Sequence, residues 1–423
     1  MALTQNIAKQ RKVEKAINNC ISAILDSGIE QSLDSLVLIG SFSRGEGVVW
    51  GNNGELCFLS DVEFVGVSKT AEFKRLKTEA RRIEEEIKNN MAKEGIDIKV
   101  NLGFTTRNHL KRFNNWIYPL EIKRFGKVVW GDEKTLSYIP DFTYEDIEPQ
   151  DGFILLNNRI VEQLILLNKI RGSSCVTHFG NTQCPSADNI KLVEGRNAKC
   201  GINRYEIDKG YIQIANSILA FEGRYRSFYE EKIRELMELF ADTPGLLKEN
   251  SGLLRKVKQV LACFYNSDFQ ALKEKEALRE WKELRDYFRQ IWMYEVKSLL
   301  RAPSTIHSEN SEDRELEVLI EKFVKIPNLV SRVKGWLKVF AGSLNDRHPT
   351  PDTRPFDKLR IGPDPFGSVQ GKLRRMGRHP IINLFRSSPQ FLIYQEAVRQ
   401  YFSPNPDMEK VRGVIRAWEE LVK

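Results

Sequence analysis

Hydrophobic positions along the first 135 residues switch between two spacings. Ile7, Val13, Ala16, Ile17, Ile21 and Ile24 recur at the three- and four-residue steps of an amphipathic helix over residues 5–27. "SLVLIG" then packs apolar and branched residues into a short strand that ends at Gly40, and a glycine-rich stretch and a turn-like "WGNNGE" follow. "SDVEFVGV" alternates Val62, Phe64 and Val67 with acidic and small residues, the mark of a second strand. "TAEFKRLKTEARRIEEEIKNNMAKEG" reads as a charged helix closed by Gly95. "IDIKVNLGF" is a third strand, "RNHLKRFNNWIYPLEIKR" a helix, and "FGKVVWGD" a fourth strand ending in a turn. This α-β-β-α-β-α-β order predicts an N-terminal α/β domain over residues 1–150, built on a mixed sheet covered by helices.

From about residue 151 the spacing becomes helical throughout, as in "GFILLNNRIVEQLILLNKI", "YEIDKGYIQIANSILAFEGRY" and "EWKELRDYFRQIWMYEVKSLL". The pattern predicts a mainly α-helical domain over 151–343, with a loop insertion at 171–203 where periodicity lapses. A Pro-, Gly- and Arg-rich loop at 344–380 and C-terminal helices over 381–423 complete the expected order. A length of 423 residues exceeds one ordinary core and fits two or three domains.

Composition changes this picture little. The chain is 41% hydrophobic and 29% charged, and it contains no run of 18 apolar residues. The N-terminus is polar and helical, so neither a signal peptide nor a membrane anchor is expected, and a cytoplasmic protein without a membrane partner is the default. A net charge of +8 is compatible with phosphorylated ligands or RNA but selects neither, and no RNA-binding module is evident. No feature specifies an oligomeric state. The six cysteines are scattered, which argues against a disulfide framework. Cys175, His178, Cys184 and Cys200 lack a recognised zinc spacing and read as part of a polar loop.

The chemistry concentrates near the first three strands. Asp61 and Glu63 stand two apart on a strand, so both project from one face while Val62 and Phe64 face the core. Asp97 interrupts the apolar run of "IDIKV". Unpaired buried carboxylates cost several kcal/mol, whereas three converging on one spot are stabilised by a divalent cation. Hard oxygen ligands favour Mg²⁺, and two such ions about 4 Å apart assist in-line displacement at phosphorus. Glycines after a strand let backbone N–H groups approach phosphate oxygens, with the Ser41 and Ser43 hydroxyls as further donors. Arg44 suits a phosphate or a carboxylate in fork geometry, and Glu46 is placed to brace it.

Gly40-Ser41, Arg44-Gly45, Ser60-Asp61-Val62-Glu63 and Asp97, in this order, resemble the motifs of the DNA polymerase β-like nucleotidyltransferase superfamily. The "GSFSRGEG" form is similar to a branch of uncharacterised prokaryotic nucleotidyltransferases, and "FGKVVWGD" resembles the strand that closes the catalytic domain in relatives. The resemblance covers residues 35 to 135.

It implies that Asp61 and Glu63 bind metal, and that Asp97 binds one ion and helps deprotonate the acceptor. Gly40 and Ser41, with Ser43 and Arg44 beside them, would hold an NTP. Lys209, in a stretch resembling the helix beside the active site of multidomain relatives, would reach its phosphates, with Tyr211 and Tyr225 lining an acceptor pocket. Against this, Lys209 reads equally as a solvated helix lysine and the tyrosines as core edges; Arg159 is similarly open. The implied reaction is Mg²⁺-dependent transfer of a nucleoside monophosphate to a small molecule, a protein hydroxyl or an RNA 3′ end, with release of pyrophosphate. The alternative is a catalytically degenerate protein of the same fold acting as a binding or regulatory partner, as in a toxin–antitoxin or defence pair.

Two departures stand out. Ser41 and Asp61 are 20 positions apart, so "VVWGNNGELCF" is an insertion, readable as a hairpin extending both strands. The position of the third acid is the one least fixed by motif, and Asp97 also reads as a strand-edge aspartate in a surface ion pair.

Overall fold

The computed structural model describes residues 4, 9–51, 56–171, 202–266, 271–300, 316–321 and 389–422. The insertion expected at 171–203, apart from its ends, the loop at 344–380 and the group Cys175, His178, Cys184 and Cys200 lie outside the described residues.

The N-terminal portion is a mixed sheet with helices, and most of the remainder is helical. Helix α1 (Gln10–Ile24) is followed by strand β1 (Leu33–Ile39), the short helix α2 (Gly40–Arg44), β2 (Val49–Trp50), β3 (Leu56–Phe58) and β4 (Val62–Ser68). Then come α3 (Phe73–Lys93), β5 (Ile96–Asp97), β6 (Val100–Thr106), α4 (Arg107–Leu110), α5 (Ile117–Phe125) and β7 (Lys127–Gly131). Four strands form the main sheet in the order β6-β4-β1-β7, with β1 antiparallel to both β4 and β7 and β4 parallel to β6.

The period of two along β1 sends alternate side chains into two separate cores. Leu36 and Leu38 join Val13, Ile17, Val62, Phe64, Leu76 and Ile83 on the side covered by α1 and α3. Val37 and Ile39 join Val65, Val67, Leu120 and Ile122 on the side covered by α5. Val67 thus faces away from Phe64, and β4 is buried on both faces beyond Glu63, as befits a central strand.

The insertion does not extend β1 and β4. It forms a hairpin, Val49 opposite Phe58, that builds a second sheet with β5, parallel to β3. The expected third strand is consequently split. Ile96 and Asp97 pair with Leu56 and Cys57 of the hairpin, the chain jogs at Ile98–Lys99, and only from Val100 does it run beside β4.

The chain divides into two compact units, residues 1–152 with 166–287 and residues 153–165 with 288–423, rather than breaking at 150. Helix α6 (Pro149–Ile170) and the last long helix before residue 301, Glu274–Leu300, each contribute to both. Helices α7 (Arg204–Phe221), α8 (Tyr229–Asp242) and α9 (Pro244–Asn266) belong with the sheet. Gly152 admits α7 at close range, since a Cβ there would sit 2.5 Å from the Phe221 nitrogen and 2.7 Å from the Ser217 carbonyl oxygen. The Ser217 hydroxyl completes that contact by donating to the Gly152 carbonyl at 2.9 Å. In the second unit the helices Pro389–Phe402 and Met408–Val422 pack Tyr394 against Trp418, and the Tyr394 hydroxyl donates to Asn158. Among the described residues no helix is long and apolar enough to cross a membrane.

Candidate functional site

Strand register brings the glycine turn and the acidic pair together. Ile39, the last residue of β1, pairs with Glu63, so the chain leaves β1 directly beside that carboxylate. Gly40 turns away with φ +73°, and a Cβ there would lie 2.0 Å from Glu63 Oε2. Only glycine both accepts this backbone conformation at low cost and leaves the space that the carboxylate fills. Ser41 follows, half-exposed, and its carbonyl accepts the Glu46 N–H at 2.9 Å as α2 ends.

Asp61 faces the same way as Glu63 and is engaged. Lys99 Nζ donates to its Oδ2 at 2.8 Å, and Asn101 Nδ2 donates to the same oxygen at 3.1 Å. Burial alone would raise the Asp61 pKa, but Lys209, Lys99 and these two hydrogen bonds outweigh it and hold the carboxyl below its usual range. Lys209 is carried by α7, one turn beyond Tyr205, whose buried hydroxyl lies 3.2 Å from the Ser60 hydroxyl. Ser60 in turn accepts the Val48 N–H at 3.0 Å. The i, i+4 pair Tyr205 and Lys209 therefore ties a helix 145 positions away to the residue preceding Asp61. Tyr118, on α5, is 51% exposed; crowding by protein and the Glu63 carboxylate both push its phenol above the usual value.

Several expected site residues are elsewhere. Asp97 is exposed and sits in the hairpin sheet, with Cys57 Sγ 3.8 Å from its carboxylate. The position on β6 that faces Glu63 is Asn101, an amide. Among the described residues, no three His, Cys, Asp or Glu side chains gather as a metal-binding group, so Asp97 does not join Asp61 and Glu63. The cause is the jog at Ile98–Lys99, which hands Asp97 to the inserted hairpin. The donor set thus lacks the third carboxylate that a pair of ions would need, whereas Asp61 and Glu63 suit a single hard cation that keeps water and phosphate as its other ligands.

Ser43 is buried and donates to the Gly40 carbonyl at 2.8 Å, a bond internal to the turn rather than a phosphate contact. Arg44 is equally committed. It binds Glu46 at 3.2 Å, as its sequence position suggested, and also Glu121 of α5. Burial alone would lower the Arg44 pKa, but the two carboxylates outweigh it and raise it. Tyr225 donates to Glu121 at 3.0 Å, and the Tyr229 N–H donates to Glu46 at 3.0 Å. Lys232 is buried in the same group; burial first and Arg44 second lower its pKa to about 8, against the pull of Glu46 and Glu121. Tyr225 therefore belongs to a buried ionic cluster and not to a pocket lining. Tyr211 is core, with Tyr287 at 5.9 Å, and Arg159 pairs with Glu162 one helical turn away.

Sequence reasoning missed Lys99, Asn101, Tyr205 and Glu121. The first two carried a signal: Ile98, Val100 and Leu102 are buried while Lys99 and Asn101 alternate with them, so both fall on the face of Asp61. Comparisons with protein-family models, curated proteins and solved structures return no match.

Proposed function

We propose that the first unit is a Mg²⁺-dependent nucleotidyltransferase that passes a nucleoside monophosphate from an NTP to an acceptor and releases pyrophosphate. The observation that carries this reading is the meeting of Gly40 and Glu63, a positive-φ turn packed against the second carboxylate of an Asp-x-Glu strand. A turn of this kind leaves backbone N–H groups and the Ser41 hydroxyl open to triphosphate oxygens, while Asp61 and Glu63 take one Mg²⁺. The bound ion would supply positive charge against the phosphates. Lys209 neutralises charge at Asp61 and extends the cationic wall to the nucleotide. Arg44 acts at one remove by fixing the turn to α5 and α8.

A second reading, a nucleotide- or partner-binding protein that has lost catalysis, is favoured by one specific observation. Asn101 stands where a third carboxylate would complete a two-ion site, and Lys99 already neutralises Asp61. Incubating the full chain with Mg²⁺, each α-labelled NTP and a cell extract separates the two. Covalent label that appears with the wild type and is lost in Asp61→Ala establishes transfer. NTP binding without transfer selects a nucleotide-binding protein, and no NTP binding ends the enzyme reading and leaves the partner-binding protein.

A further inference from the structure

The composition of the site constrains its acceptor. An alcohol that attacks phosphorus must lose a proton to a base within hydrogen-bond reach. The β6 residue opposite Glu63 is Asn101, an amide that accepts no proton, with its Nδ2 committed to Asp61 at 3.1 Å. Asp97 is in another sheet. Asp61 Oδ2 already accepts from Lys99 Nζ at 2.8 Å and from Asn101 Nδ2 at 3.1 Å, and on the nucleotidyl-transfer reading the carboxylate is a ligand of the ion. Glu63 fills the space left by the missing Gly40 side chain, on the turn that faces the nucleotide. What stands beside Asp61 instead is positive charge: Lys99, whose side chain is 47% exposed, with its Nζ 2.8 Å from the carboxylate.

Resting on the nucleotidyl-transfer reading, we propose that the acceptor is a phosphate group, inorganic phosphate or a phosphate monoester, rather than a hydroxyl. A phosphate monoester has its second pKa near 6 and is largely a dianion at neutral pH, and inorganic phosphate is there a mixture of monoanion and dianion, so either offers an ionised oxygen that attacks without a base. The new bond forms between that oxygen and the α-phosphorus as the bond from the α-phosphorus to the bridging oxygen breaks. Pyrophosphate leaves with the bond's electron pair, and no proton is taken from the acceptor. With inorganic phosphate the product is a nucleoside diphosphate; with a monoester it is a pyrophosphate diester. Lys99 holds the incoming phosphate, and the Asn101 amide keeps the Asp61 carboxylate turned toward that lysine.

The test offers the full chain α-labelled NTPs and Mg²⁺ with four acceptors: inorganic phosphate, glucose 1-phosphate, glycerol and a short oligoribonucleotide with a free 3′ hydroxyl. Label is expected in nucleoside diphosphate or in the pyrophosphate diester, saturably in phosphate, and not in the last two. Lys99→Met is expected to raise the KM for phosphate by about tenfold or more, the scale of one charge-assisted contact, and to raise the NTP KM much less. Asn101→Asp is expected to double the Mn²⁺ bound per chain, read by paramagnetic resonance in the presence of NTP, and to open transfer to glycerol. Transfer to a hydroxyl acceptor by the wild type overturns the proposal. So does NTP binding without use of either phosphate, or a Lys99→Met effect that falls equally on both substrates. A chain that binds no NTP fails earlier, at the nucleotidyl-transfer reading itself, and removes this proposal with it.

Discussion

The first residue of α2 meets one charged cluster and its last residue belongs to another, and the two are built on opposite terms. Around Arg44, two cations and two carboxylates, Arg44, Lys232, Glu46 and Glu121, are shut away and satisfy one another, with Tyr225 and a backbone N–H closing the set. Around Gly40 the same tally recurs, Asp61 and Glu63 against Lys99 and Lys209, but the side chains stay partly open to solvent. Balanced charge alone therefore does not distinguish a structural cluster from a candidate site; access does. A buried group that already has its partners gains nothing from a ligand, whereas a half-exposed one exchanges a protein or water contact for a ligand contact at small cost.

The contrast can be broken most forcefully from the closed side. Arg44→Ala leaves Glu46 and Glu121 buried without their main counter-charge, and a loss of about 3–5 kcal/mol is expected in denaturant unfolding. Lys99→Ala on the open side should lie within about 1 kcal/mol in the same assay; equal losses would erase the distinction. Gly40→Ala is expected next in size, at about 1–3 kcal/mol from the positive φ alone, with nucleotide binding lost as the new Cβ displaces Glu63. Retained NTP affinity in a folded Gly40→Ala chain would detach the turn from the site.

The pH dependence of stability sharpens the comparison. Lys232 has a folded-state pKa of about 8 against 10.5 when free. Between those values the unfolded chain holds the extra proton, so stability rises with pH there and the penalty is fully present below pH 8. The gain from about pH 8 to about pH 9.5 should approach 2 kcal/mol, and it should vanish in Lys232→Met. An identical pH profile in the variant would place the lysine outside the coupled group.

Much of the sheet was legible because local patterning determines it. The apolar runs of β1 and β4 and the charged helix between β4 and β5 lie where period alone puts them, and Glu46 bracing Arg44 follows from adjacency. Glu121 was not legible, because its pairing with Arg44 spans 77 positions and nothing in "YPLEIKR" marks that glutamate over its neighbours. Asp97 misled for a related reason. In "IDIKVNLGF" the polar residues at 97, 99 and 101 share a parity, so pattern alone offers either acid or amide to the site. The choice is made by an inserted hairpin some 40 residues earlier, whose edge captures Ile96 and Asp97 and shifts the start of the strand beside β4 to Val100.

The bond between Ser60 and Tyr205 also sets a clock. At about 5–20 residues per second, a ribosome needs roughly 7–30 s to travel the 145 positions between them. Throughout that interval a growing chain has its glycine turn and both carboxylates but not the helix that carries Lys209. A truncated product that ends before residue 209 inherits the motif without the wall that completes it. On the proposed function, premature termination yields an inert fragment rather than an unregulated one, and a minimal piece that is to transfer nucleotides has to keep α7.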